Sequence, residues 1–171
     1  MKLNHCSYCS YLTAFLLILT EATAAPGDPP NLNQCNNKNS LSAVLVQDLS
    51  FGDFDGTVAG TIIVDTNGNI VSSPPPDHAG GNVLAAAFDV SNSRTGCDFY
   101  PVQIILPASA VITGPATMNV GSFVSSPANQ FTLSPGQPTR VYVGATLTTG
   151  ANQATGAYTG PFDVIFEHVN P

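Results

Sequence analysis

The sequence predicts an all-β protein, one antiparallel β-sandwich behind a cleavable signal peptide. Three observations carry this expectation. Short apolar runs, several with period two, recur along the chain with Gly, Pro and Asn between them. No window beyond the N-terminal apolar stretch has helical periodicity. And the N-terminus itself has the order of charge, apolar core and small residues that export signals use.

Lys2 gives the positive start, Tyr11 to Leu19 the apolar core, and Ala22-Thr23-Ala24-Ala25 the small-residue close. The apolar run falls short of the ~20 residues a membrane-spanning helix needs. Cleavage is expected after Ala24, before Ala25-Pro26, which makes residues 1–24 the signal peptide; the alternative is an uncleaved N-terminal anchor. Cys6 and Cys9 form a C-x-x-C in the segment to be removed, so they are not read as a metal or redox pair. Export places the protein in the periplasm, on the cell surface or outside the cell.

Residues 25–40 form a polar arm. Pro26-Gly27-Asp28-Pro29-Pro30 cannot hold a helix, and Asn31, Asn33, Asn36, Asn37 and Asn39 continue the turn-prone composition. Two cysteines survive cleavage, Cys35 and Cys97. In an oxidising compartment such a pair is expected to form a disulfide, pinning the arm to the domain; the alternative is two free thiols too far apart to meet.

Residues 41–171 form the sandwich domain. Leu41 to Phe51 is the first apolar, β-compatible segment and Thr57 to Val64 the second. Asn67-Gly68 marks a tight hairpin turn. Ser72 to Pro76 and Gly80-Gly81 read as a long loop. Val83 to Val90, Phe99 to Leu106, Ala110 to Ile112 and Met118 to Val124 follow as strands, with a short piece at Phe131 and Leu133. Arg140 to Thr148 puts Val141, Val143, Ala145 and Leu147 on one face, and Tyr158 to Val169 does the same with Phe162, Val164 and Phe166. Many short strands with turn residues between them are the pattern of a sandwich or barrel.

The formal net charge is −7, and Lys38, Arg94 and Arg140 are the only strong cations beyond residue 24. Nucleic-acid binding needs a basic footprint to neutralise phosphates, so that class is excluded. The same scarcity argues against docking on anionic lipid.

Four stretches, Asp48-Leu49-Ser50-Phe51-Gly52, Ile104-Ile105-Leu106-Pro107, Val143-Gly144-Ala145-Thr146-Leu147 and Ala151-Asn152-Gln153-Ala154-Thr155-Gly156-Ala157-Tyr158-Thr159-Gly160, resemble in order and spacing the bacterial secreted proteins grouped as domain of unknown function 4402. The resemblance runs over residues 41 to 169, and the last stretch is the most specific. That family looks related to spore coat protein U-like domains and to pilins of archaic chaperone–usher pili. The resemblance implies an immunoglobulin-like sandwich, a fimbria-like role at the cell surface and no catalytic residues. Tyr158, opening the last long strand, is a candidate tyrosine corner, in which the phenol bonds to backbone a few residues upstream; the alternative is a half-buried aromatic at a strand start.

No motif for catalysis accompanies these elements, and the protein is expected not to be an enzyme and to need no cofactor. There is no G-x-S-x-G elbow and no H-E-x-x-H. His78 and His168 read as exposed residues without an orienting partner. Asp53, Asp55 and the Asp65-Thr66-Asn67-Gly68-Asn69 run offer oxygen donors, but Pro76 stands where a calcium loop begun at Asp65 needs Glu, so these read as turn residues. Asp163 and Glu167 read as a solvated strand face.

The leading expectation is a structural or adhesive surface subunit that works by β-strand addition, its partners like subunits or a periplasmic chaperone. The stretch from Leu41 to Leu49 is the candidate donor strand, although the domain needs it as its own first strand if Leu41 to Phe51 folds in. The alternative is a self-complete secreted module that binds carbohydrate or another envelope component, with Tyr100, Tyr142 and Tyr158 as its available aromatics.

Overall fold

The computed structural model describes residues 9–15, 35, 41–71, 78–93, 97 and 100–169. These are organised as β-strands: β1 (Cys9–Phe15), β2 (Leu41–Gln47), β3 (Leu49–Phe54), β4 (Gly60–Val64), β5 (His78–Leu84), β6 (Ala86–Asn92), β7 (Val102–Ile105), β8 (Ser109–Thr113), β9 (Thr117–Ser126), β10 (Gln130–Phe131), β11 (Thr139–Thr149), β12 (Ala157–Asp163) and β13 (Ile165–His168).

Two sheets pack together as a sandwich. The larger follows the order β2-β6-β11-β9-β8-β12-β1-β3-β5, with β4 also paired to β11; the smaller is β10-β7-β13. All strand pairs are antiparallel except β1 with β12.

The frame is a long, bent ribbon. β2 pairs with β6 and β3 with β5 in nearly continuous register, from Leu41 opposite Asn92 to Phe54 opposite His78. The ribbon bends at Asp48 on one side and Ala85 on the other, where neither residue is in a strand. Gln47 Nε2 donates to the Ala85 carbonyl at 2.7 Å across the bend, and Ser50 Oγ donates to the Asn82 carbonyl at 2.7 Å just beyond it. The two ends of the ribbon are thus the two ends of the large sheet. The expected single strand from Leu41 to Phe51 is therefore two, and Gly80-Gly81, expected in a loop, lies in β5, where the pairing of Asp53 is irregular.

The last strand also divides. Phe162 and Val164 are buried and Asp163 and Ile165 exposed, so the alternation runs on as expected, but the chain leaves the large sheet after Asp163 and enters the small one at Ile165. Such a passage lets one run of alternating residues serve both layers. Phe88 of β6 meets Phe166 of β13 edge-on at 5.7 Å between ring centroids, and Phe123 of β9 lies 5.1 Å from Phe162 of β12. Leu49, Phe51, Phe54, Ile62, Val90, Val102, Ile112, Val120, Leu147 and Tyr158 fill the interior between the layers. Burying each such side chain stabilises the fold by roughly 1.5–3 kcal/mol.

The Cys35–Cys97 disulfide forms, with Cα atoms 5.6 Å apart and both residues buried. It ties the arm to the entry of β7, where the Cys97 carbonyl also accepts from the Tyr100 N–H at 3.2 Å. The bridge suits an oxidising compartment. Among the described residues no helix is long and apolar enough to cross a membrane.

Candidate functional site

β12 is where the large sheet is least complete. Its approach is set by the loop 150–156. Gln153 N–H donates to the Gly56 carbonyl at 2.8 Å and Asn152 N–H to the Thr57 carbonyl at 3.2 Å, so the loop is pinned to the connection between β3 and β4. Asp55 holds that connection in turn, accepting from the Thr57 N–H at 2.9 Å.

Tyr158 is fully buried, and its hydroxyl donates to the Ala154 carbonyl four residues upstream at 2.5 Å. The same oxygen accepts from Gln153 Nε2 at 3.2 Å. This is the hydrogen-bond arrangement of a tyrosine corner. The flanking glycines have separate reasons. Gly156 has φ +149°, where a Cβ would also strike the Pro115 ring. Gly160 lets β8 cross the strand at backbone contact, because a Cβ there would meet the Val111 carbonyl oxygen. The Gly-Ala-Tyr-Thr-Gly run is thus a device for steering β12 past β8.

Within the domain the steering leaves β12 with little ladder. Its register with β8 consists of one pair, Thr159 opposite Thr113, supported by Thr113 Oγ1 donating to the Thr159 carbonyl at 3.4 Å. Pro161 lacks an N–H and is tolerated in a strand only at an edge, a bulge or a first position. The other side of β12 is covered by β1. Cys9 to Phe15 runs parallel to β12, residue for residue against Ala157 to Asp163. The opposite edge of β1 runs antiparallel to β3, with Cys9 opposite Asp53 and Leu12 opposite Leu49. One segment of seven residues therefore joins the two flanks of the seam and closes the sheet between them.

The other sequence candidates do not converge. His78 is exposed on β5, whereas His168, expected to be exposed, is buried on β13; its Nδ1 lies 3.2 Å from the Tyr100 carbonyl, with the two rings edge-on at 6.4 Å. Its place in the series Phe162, Val164, Phe166, His168 was the signal for burial, since every second residue of that run points inward. Asp163 and Glu167 sit in different sheets. Asp65 Oδ1 accepts from the backbone N–H groups of Asn67 and Asn69 at 2.9 and 2.8 Å, and Oδ2 from both amide side chains at 3.4 Å. The Asn69 backbone bond leads in holding the Asp65 carboxyl below the ordinary aspartate value. Among the described residues no three His, Cys, Asp or Glu side chains gather as a metal site.

Leu41–Gln47, the candidate donor, is the domain's own strand β2, paired along its length with β6. The feature that sequence reasoning did not find is the seam between β3 and β12. Its only trace was Pro161 in an otherwise alternating strand.

Fold and site together define a disulfide-bonded all-β sandwich whose large sheet is closed between β12 and β3 by its first strand, β1. A family model, the domain of unknown function DUF4402, matches residues 41–167, and the chain belongs to that family. No curated protein and no solved structure matches it.

Proposed function

We propose that the protein is an exported structural or adhesive component of the cell surface, a fimbria- or pilus-like subunit that works by strand addition and not by catalysis. One observation carries this reading: the strand that closes the sheet, β1, lies outside the residues that make up the family domain. A domain whose sheet is finished by a segment not its own is suited to being finished by another chain. Main-chain hydrogen bonds supply the affinity in that mode, and pockets for alternate side chains supply the choice of partner. The disulfide fits the oxidising compartment the reading requires.

The test is the size distribution of the exported protein under non-reducing conditions, together with antibody labelling of intact cells. Surface labelling with the protein found in assemblies or with a bound partner supports the reading. A monomer confined to the soluble fraction, absent from the surface and stable on heating, overturns it. That outcome favours a self-complete binding module, for which Tyr142, exposed on the outer face of β11, is the first residue to test against carbohydrate.

A further inference from the structure

We propose that the seam between β3 and β12 is an acceptor site for one extended strand of a different protein chain, and that this protein accepts such a strand without donating one. The inference rests on the strand-addition reading above. It adds which edges are used, which way the incoming strand runs, and that its source is not a second copy.

β1 shows what the site takes: seven residues in extended conformation, parallel to β12 and antiparallel to β3. Both walls present buried apolar residues on the same interior, Leu49, Phe51 and Phe54 from β3 and Tyr158 and Phe162 from β12. If residues 1–24 are removed on export, β1 goes with them. The two edges are left with unpaired backbone groups beside an apolar interior, a costly state that favours refilling.

Residues 25–47 offer no segment to spare for that purpose. Residues 25–40 carry Pro26, Pro29 and Pro30, which cannot donate to a ladder, and five asparagines where a buried strand needs apolar residues at alternate positions. Leu41–Gln47 is spent on β6. These residues of a second copy therefore do not suit the site, and the occupant we assign to it is an extended, alternately apolar segment of another protein. An acceptor of this kind terminates an assembly and does not extend it.

The test begins with the intact mass of the exported full-length product. Loss of residues 1–24 is expected; retention of residues 9–15 overturns the proposal, because the site is then permanently filled. A synthetic peptide covering residues 8–16 is next added to the exported protein. Saturable 1:1 binding is expected, weakened at least ~tenfold by Leu12→Pro in the peptide, which removes a ladder N–H and leaves the length unchanged. No binding, or equal binding of both peptides, overturns it.

Polarity is read by disulfide trapping. Cys9 of the peptide is expected to cross-link to Ala157→Cys and not to Asp163→Cys, two exposed positions at opposite ends of β12. The reverse preference overturns the orientation. Ladders formed by the purified protein alone overturn the claim that the donor is a different chain. Peptide binding by a protein absent from the surface leaves the acceptor site standing and removes the surface reading. A surface protein that ignores the peptide does the opposite.

Discussion

β11 and β12 belong to the same sheet and have opposite standing in it. β11 is paired on one side by β9 and on the other first by β6 and then by β4, so both of its edges are covered by strands of the domain. β12 has one residue pair with β8 on one side and β1 on the other. Both strands alternate buried and exposed residues, and both are lined by fully buried side chains. Apolar content therefore does not separate them; what separates them is where the partners come from. The interior of the sheet is finished by strands within the residues the family model matches, and the seam by β1, which precedes them.

The largest effect expected in testing this contrast comes from the interior. Leu147 on β11 is fully buried, and Leu147→Ala is expected to cost about 2–5 kcal/mol in denaturant unfolding, from lost transfer energy and the cavity left behind. Occupying the seam with peptide should raise the stability of wild type and variant alike and leave the difference between them, because the seam and the cavity are separate defects. A difference that closes on adding peptide would merge the two regions and break the comparison.

Removing the disulfide comes next. The double variant Cys35→Ser with Cys97→Ser opens a loop whose ends are 62 residues apart, worth roughly 4 kcal/mol in the chain-entropy model, with less realised where the unfolded chain stays compact. Unfolding in denaturant, with and without reductant, measures it. The bridge lies at the entry to β7, so its loss should lower global stability and with it the protection of every amide that exchanges only through global unfolding.

Hydrogen exchange compares the two strands most directly. In exported protein lacking residues 1–24, amides of β11 are expected to exchange only through global unfolding. Amides of β12 and β3 on the seam should exchange at least ~tenfold faster, a difference of about 1.4 kcal/mol in opening free energy. Peptide should slow both groups, the seam amides by occupying their edges and the β11 amides through the added global stability. Equal protection in both strands without peptide would mean that β3 and β12 close on each other, which their antiparallel relation allows.

Tyr158→Phe sharpens the picture by removing one oxygen. The Ala154 carbonyl loses its donor and Gln153 its acceptor, for an expected cost of about 1–2 kcal/mol by thermal or chemical unfolding. A neutral result would show that the pinning of residues 152–153 to the 56–57 connection positions β12 without the phenol.

Much of this arrangement was legible in the residues. Val141, Val143, Ala145 and Leu147 announced β11 and its inner face, and Asn67-Gly68 announced the turn after β4, with the Gly68 N–H donating to the Asp65 carbonyl at 3.1 Å. The breaks at Asp48, Ala85 and Val164 were not legible, because alternation continues unchanged when a strand passes from one sheet to the other or rounds a bend. The seam was hidden for a different reason. An apolar run that suits an export signal also suits a strand, and pairing between residue 9 and residue 157 leaves no local mark. Gly156, Tyr158 and Gly160 were visible as a motif, but steering past β8 is a relation between strands that a single stretch does not display.

The smallest effect is electrostatic, and it falls on the interior side. Asp65 closes the turn after β4, the strand that covers the second half of β11. Its carboxyl is held below the ordinary value by the Asn69 and Asn67 N–H groups. A lowered folded value means that the charged form is favoured by folding, so the contribution is present above the unfolded pKa and lost as pH falls through the folded one. Protection of the Asn67 and Asn69 amides should therefore decline below about pH 4, and Asp65→Asn should remove that dependence. Because β9 still holds the other edge of β11, acid should loosen the hairpin tip and leave Leu147 buried. If acid instead opened β11 as readily as peptide removal opens β12, the interior would be no better finished than the seam.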